Sequence, residues 1–402
     1  MNKLHKQRGA VSLFVVIFAA LLITVVTVSF IRIMIQNQQQ ATANDLSQSA
    51  YDSAQAGVED AKRAILLLQS TCATGTAGDC AAMEAKINSP TCNEAISELT
   101  DVNITNNEVK VEVNGDKNNL DQAYTCVKVS MLTNTYVNYL KQDASEIVPL
   151  VGTSDFDTIK VEWFDSSDSS SSGSTGSDIS DIDVPGPGST PLLSQDNWTN
   201  TTHNSRPSVM RAQVIQFNKS AATGFSLTDF DDPNNTNAFN NTLFLYPSTT
   251  AGGSTFSDDS RLSAKSFVAP SPKKCVSNLN TNIYACSATL KLQKTVGSDY
   301  AAYLNLKSFY RGSHYRITLY DSNRPVAGEP GTLVQFDGVQ PNVDSTGRAN
   351  DLFRRVQSKI SLKNDNFPFP QGEIDITGNL CKTFFVTNDP GDFKPGSCDP
   401  SR

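Results

Sequence analysis

Between Ala10 and Ile31 the chain reads AVSLFVVIFAALLITVVTVSFI, 22 residues without a charge. As a helix at ~1.5 Å per residue the run spans ~33 Å, enough for the hydrocarbon core of a bilayer. A segment apolar on every face has no polar side to turn to water, so it needs lipid or other apolar helices around it. The flanks orient it. Lys3, Lys6 and Arg8 precede the run and only Arg32 follows closely, so the positive-inside bias holds the N-terminus in the cytoplasm and exports the rest. The Arg32 guanidinium can reach the headgroups while its aliphatic stem stays in lipid. A secretory signal peptide shares the basic start, but its apolar region is about 7–15 residues and closes on a small-residue cleavage site. Here the run is longer, no such site closes it, and helix-forming residues continue beyond Ile35. The pattern predicts a retained transmembrane helix over residues 10–35 of a single-pass protein.

Beyond the bilayer the helix continues as an amphipathic segment over residues 36–70. Leu46, Ala50, Ala54, Gly57, Ala61, Ile65 and Leu68 recur in steps of four and three, with Asp45, Asp52, Glu59, Asp60, Lys62 and Arg63 on other faces. No Pro interrupts Ala10 to Leu68, so one helix of 59 residues is expected, ~90 Å long. Its first half needs an apolar surrounding and its second half needs a globular domain to cover one stripe.

In these features the N-terminal region resembles a type IV pilin or pseudopilin: a short basic leader, residues 1–9 ending in Gly9, then directly an uninterrupted apolar helix, then an amphipathic continuation. The segment Ala50-Tyr-Asp-Ser-Ala-Gln-Ala-Gly-Val-Glu-Asp-Ala61 is similar to the small-residue, acidic stretch of PilX-type minor pilins. The resemblance covers roughly residues 1–68. It implies cleavage by a prepilin peptidase between Gly9 and Ala10, and partnership with other pilin subunits through the N-terminal helix. Major pilins usually carry a Glu at the fifth mature residue, whose carboxylate compensates a neighbour's amine in an apolar filament core. Here that position is Phe14. A subunit at the tip has no subunit above it to neutralise, so the resemblance implies a minor subunit that initiates assembly or occupies the tip. The alternative is an uncut Gly9 and a non-polymerising, membrane-anchored surface binding protein.

The exported part, about 330 residues, is long enough for one large or two ordinary domains. Its Asn, Ser, Thr and Gly content suits a β-rich fold with polar loops. The formal net charge of −8 argues against a broadly basic nucleic-acid surface. Eight cysteines, Cys72, Cys80, Cys92, Cys126, Cys275, Cys286, Cys381 and Cys398, all lie on the exported side, where an even count reads as disulfides. Connectivity is open; short separations suggest 72–80, 92–126, 275–286 and 381–398. With no Cys-x-x-Cys pair and only His5, His203 and His314, a zinc cluster has few ligands at usable spacing.

The expected fold is α+β: the long helix followed by an antiparallel, disulfide-stabilised, β-rich head. A first α+β region over 71–164 opens with short helical turns and loops over 72–100. Strands follow at Val109–Val113, Val127–Met131, Tyr136–Leu140 and Ile159–Phe164, the first two from alternation. Residues 165–205 form a flexible Ser/Asp/Gly-rich linker. Its aspartates at 165, 168, 178, 181 and 183 could hold Ca²⁺, but regular ligand spacing is missing. A β-rich C-terminal domain spans 206–402, with strands at Val209–Phe217, Thr242–Tyr246, Ala288–Gln293, Ala302–Phe309, His314–Tyr320, Thr332–Phe336, Leu352–Leu362 and Thr383–Thr387. The Pro-rich Asn366–Gln371 reads as an extended turn.

No Gly-x-Ser-x-Gly elbow, His-Glu-x-x-His helix, Walker loop or dinucleotide fingerprint is present. The expectation is a non-enzymatic chain without cofactor or metal, in which His203 and His314 are lone surface residues. Arg311, Arg316, Arg354 and Arg355 could form a cationic stripe for an acidic polymer, but strand-exposed arginines that discourage edge pairing are the favoured reading. Tyr303, Phe309, Tyr310, Tyr315 and Tyr320 are expected to pack a sheet more than to stack on a ligand. No motif names the head's surface ligand.

Overall fold

The computed structural model describes residues 10–111, 121–169, 198–199, 205–219, 238–249, 270–279 and 283–362. They divide into two compact units, residues 1–129 with 343–358, and residues 130–342 with 359–402.

The first unit carries α1 (Ala10–Thr74), one unbroken helix of 65 residues. It runs one and a half turns beyond the expected end at Leu68, because Gln69 to Thr74 contains neither Gly nor Pro and Gly75 closes it by donating to the Thr71 carbonyl at 2.8 Å. The segment foreseen only as turns contains α2 (Ala77–Ile87). It starts on a capping box in which Thr76 and Asp79 satisfy each other's main-chain N–H. A single 3₁₀ turn follows at Glu94–Ile96.

The sheet of this unit has the order β1-β2-β3-β14-β15. Its members are β1 (Ile104–Thr105), β2 (Glu108–Lys110), β3 (Ala123–Thr133), β14 (Phe336–Ala349) and β15 (Leu352–Lys359). β2 stops short of the expected strand to Val113; Val111 still donates to the Gln122 carbonyl, and Val113 lies outside the described residues. β14 was not anticipated beyond Phe336. Gly338, Pro341 and Gly347 give DGVQPNVDSTGRA the composition of a loop, yet alternate residues of the strand are buried.

Ala50, Ser53, Ala54, Gly57, Val58, Ala61, Ala64, Ile65 and Leu68 form the buried stripe of α1. The small residues set the distance. A Cβ at Gly57 would lie 2.4 Å from Ser345 Oγ and 2.8 Å from Val127 Cγ2, and one at Gly347 would lie 2.2 Å from both Ala50 O and Ala54 N. Helix backbone thus rests almost directly on β14. Val58, Ile65 and Leu68 fill the space beside this contact, each stabilising by ~1.5–3 kcal/mol through burial.

The second unit is a β-sandwich. One sheet runs β10-β6-β12, with β13 and β4 both pairing along the far edge of β12. These strands are β4 (Tyr136–Leu140), β6 (Phe156–Asp165), β10 (Tyr284–Val296), β12 (Ser313–Asp321) and β13 (Thr332–Val334). The other sheet runs β5-β11-β7-β8-β9. Its strands are β5 (Ser145–Leu150), β7 (Val209–Asn218), β8 (Ala238–Ser248), β9 (Pro270–Lys274) and β11 (Tyr300–Phe309). Among the described residues the strands of this sandwich pair antiparallel, except β8 with β9, which run parallel. Ile159, Val161, Trp163, Leu290 and Ile317 from one sheet share a core with Met210, Val214, Leu304 and Leu306 from the other.

The unit boundary differs from the expected division at the 165–205 segment. β6 hydrogen-bonds to β10 and β12, and β5 to β11, so residues 130–165 belong with the later strands. Pairing of distant strands, which leaves no mark on local composition, sets this boundary. β5 and β9, where no strand was expected, contain Pro149, Pro270 and Pro272; both lie at sheet edges, where proline is tolerated. β10 is longer than expected, and Thr332–Phe336 divides between β13 and the start of β14.

Cys72–Cys80, Cys92–Cys126 and Cys275–Cys286 are bonded, with Cα separations of 4.6, 4.7 and 4.1 Å. The first ties the end of α1 to α2, the second ties the chain after α2 to β3, and the third joins the two sheets of the sandwich. Cys381, Cys398, residues 1–9 including Gly9, His203, most of the 165–205 segment, Asn366–Gln371 and Thr383–Thr387 lie outside the described residues.

Candidate functional site

Two features of the chain carry recognisable chemistry. The first is the N-terminal half of α1. Among the described residues it is the one helix long and apolar enough to cross a membrane. Phe14 is 75 % exposed, and Leu13, Val15, Phe18, Leu22, Val25 and Phe30 are exposed around every side of the rod. Only three residues from Leu13 to Ile31 carry a polar side chain, and each is satisfied locally. Thr24 Oγ1 donates to Leu21 O at 2.8 Å, Thr27 Oγ1 to Ile23 O at 2.9 Å, and Ser29 Oγ to Val25 O at 2.8 Å. No hydroxyl is left to demand water, which is what an apolar surrounding requires. Ala10 is the first described residue and is already helical, and Phe14 stands one turn further on.

The amphipathic half of α1 is pinned by charge at its rim. Asp60 accepts the Tyr124 phenol at 2.5 Å and pairs with Arg63 at 2.8 Å, and Arg63 also holds Asp101. Burial, and then the Asp60 carboxylate, push the Tyr124 phenol well above the usual range. On the same unit, Arg348 clamps Glu108 through Nε and Nη2 at 3.1 and 2.7 Å and reaches Asp121 at 2.7 Å.

The second feature surrounds His314 on the sandwich. It had been expected as a lone surface residue; the fold gives it partners. Asp165 and Asp168 flank a 3₁₀ turn in which Asp165 accepts the Ser167 N–H and Asp168 accepts the Asp165 N–H. The turn follows Phe164, whose φ of 67° is unusual for a bulky side chain. Phe164 N–H donates to Ser313 Oγ at 2.9 Å, which holds that backbone in place. Asp168 Oδ2 accepts from His314 N at 2.8 Å and from Ser313 Oγ at 3.3 Å, and its Oδ1 lies 2.7 Å from His314 Nδ1. Ser167 Oγ is 3.2 Å from the same ring nitrogen and Asp165 Oδ1 is 3.6 Å from it. Since acid and hydroxyl meet one nitrogen, the group is not a relay in which a carboxylate orients one side of the ring and a nucleophile sits at the other. The sequence signal available was Asp-Ser-Ser-Asp, a capping-box spacing; nothing local pointed from it to a histidine 146 residues away.

The remaining candidates resolve into structure. Arg311 is half-buried, lies 4.9 Å over the Phe164 ring and donates to the carbonyls of Asp168 and Arg206. Arg316 pairs with Glu162 at 2.7 Å, Arg355 pairs with Asp344, and Arg354 Nε donates to Ser47 Oγ at 2.8 Å. They are engaged one by one instead of forming a stripe. Tyr303 stacks on Phe217, Tyr310 stacks on Trp198, Tyr315 and Tyr320 are buried, and Phe309 packs against Phe244. The aromatic set therefore packs sheets.

No family model, curated protein or solved structure matches the chain.

Proposed function

We propose that the chain is a minor pilin-like subunit that initiates a type IV pilus or related filament, or sits at its tip, and presents a β-rich head to a partner. One observation carries this reading: a single 65-residue helix is apolar and exposed on all sides in its first half, while its second half covers the sheet of a globular unit. A plain membrane anchor needs only about 20 residues of helix. A rod that continues rigidly into its head transmits position from the packed helices to that head.

In this reading a lipid membrane holds the subunit before assembly, with its N-terminus cytoplasmic. A prepilin peptidase cuts between Gly9 and Ala10, and the apolar half of α1 then packs against the helices of other subunits. Phe14, standing where a repeating subunit would carry a Glu, favours the tip, where no neighbouring amine needs a carboxylate. The head is read as non-enzymatic.

Mass spectrometry of the mature N-terminus is the direct test. A chain beginning at Ala10 supports the proposal. An intact Met1, or a start at any other residue, overturns it in favour of a non-polymerising anchored binding protein.

A further inference from the structure

We propose that Asp165, Asp168 and His314 bind a divalent transition ion of the zinc class on the sandwich, independently of any filament role. One ligand atom from each residue lies within 4.8 Å of the other two. Imidazole nitrogen with two carboxylate oxygens is a donor set that zinc accepts at ~2.0–2.2 Å per bond. An ion placed between them needs donor pairs a little over 3 Å apart; the 3.6 Å between His314 Nδ1 and Asp165 Oδ1 already suits this, and the 2.7 Å to Asp168 Oδ1 must open slightly. His314 has the freedom to do so, its side chain being 39 % exposed, while Asp168 is fixed with 2 %.

Asp168 is held as a ligand is usually held. Its Oδ2 takes three donors, the N–H groups of Asp165 and His314 and the Ser313 hydroxyl, which leaves Oδ1 directed at the ring. Such outer hydrogen bonds orient metal ligands. Asp165 Oδ1 accepts from Ser167 N–H at 2.8 Å and Ser167 Oγ at 2.5 Å, so the serine hydroxyl stands beside the site as a fourth donor. Tyr139 packs on the imidazole with ring centroids 4.7 Å apart and limits its rotation. Ion binding replaces the Nδ1 proton, which leaves to solvent. Arg311 donates to the Asp168 and Arg206 main-chain carbonyls. A nitrogen ligand selects this class of ion over Ca²⁺ and Mg²⁺, which prefer all-oxygen sets.

The test uses the full chain in detergent micelles, freed of metal by a chelator and titrated calorimetrically with Zn²⁺ alone. The expected result is one tight zinc per chain, weakened at least roughly tenfold in H314F and in D165N, with a zinc-dependent rise in melting temperature that both variants lose. H314F keeps the ring packing on Tyr139, and metal-free melting curves matching the parent confirm that it folds; D165N removes a ligand from the turn if it does not. H203F must bind as the parent does. Zinc binding unchanged in both site variants, absent from the parent, or matched by Ca²⁺ overturns the assignment.

Discussion

Asn93 and Val127 pair as if they belonged to neighbouring strands. Asn93 N–H donates to Val127 O at 2.9 Å, and Val127 N–H returns the bond to Asn93 Oδ1, also at 2.9 Å. The Asn93 amide donates as well to the carbonyls of Asn107 and Thr125. One buried side chain thereby completes the edge hydrogen bonding of β3 beside the Cys92–Cys126 bridge. It does so at φ 66°, where Asn is one of the few residues tolerated.

Asn93→Ala is expected to cost about 2–4 kcal/mol, because it strands buried partners and forces a Cβ residue without local hydrogen bonds into the left-handed region. Asn93→Gly should recover part of the loss by removing the strain. Urea unfolding followed by circular dichroism checks both. Equal stability of the two variants would mean that the backbone conformation contributes nothing.

Gly347→Ala should destabilise the first unit by about 1–3 kcal/mol or more, since the new methyl would meet helix backbone at Ala50 and Ala54, which cannot rotate aside. Gly78→Ala is the control. Its Cβ would approach only Thr76 Oγ1, at 3.7 Å, and it lies in α2, so it should stabilise by about 0.4–1 kcal/mol. Melting temperatures moving in the same direction for both would contradict the close-approach account.

Asp121 has its carboxyl held down to about 2, first by the hydrogen bond from Lys110 and then by that from Arg348. The folded value lies below the unfolded one, near 4. Its contribution to stability is therefore present above about pH 4 and is lost as the pH falls toward about 2. Arg348→Met should raise the Asp121 titration midpoint and move the acid limb of the stability profile upward. Carboxyl NMR titration reads the first and denaturant midpoints against pH read the second; an unmoved Asp121 midpoint would show that Arg348 does not hold it. High salt should narrow the difference, because the Asp121 and Lys110 side chains are about half exposed.

Leu22→Arg, at the middle of the apolar run, should cost about 2.5–3.5 kcal/mol of membrane insertion. Carbonate extraction of membranes from expressing cells is expected to release much of the variant and little of the parent. Equal retention would show that this segment does not hold the chain in lipid.

The helix was legible because its signals are local and periodic: an uncharged run, then apolar residues every three or four positions. Strands with clean alternation, such as Tyr315, Ile317 and Leu319 in β12, were legible for the same reason. β14 was hidden because Gly338, Pro341 and Gly347 give it the composition of a loop, and one of these, Gly347, is the residue that the close approach of helix backbone requires. His314 was read as isolated because its partners arrive through the pairing of β6 with β12. A fold of distant strands brings together chemistry that no spacing rule along the chain records.

The three hydroxyls between Leu13 and Ile31 have one last implication. Since Thr24, Thr27 and Ser29 bond to carbonyls of their own helix, the rod from Leu13 to Ile31 shows its surroundings shape and methyl groups, and no polar code. Lipid tails and a neighbouring apolar helix are then interchangeable solvents for it. Passage from one to the other breaks no hydrogen bond, and the register of such a rod against any neighbour must come from side-chain relief or from whatever its outer end is attached to.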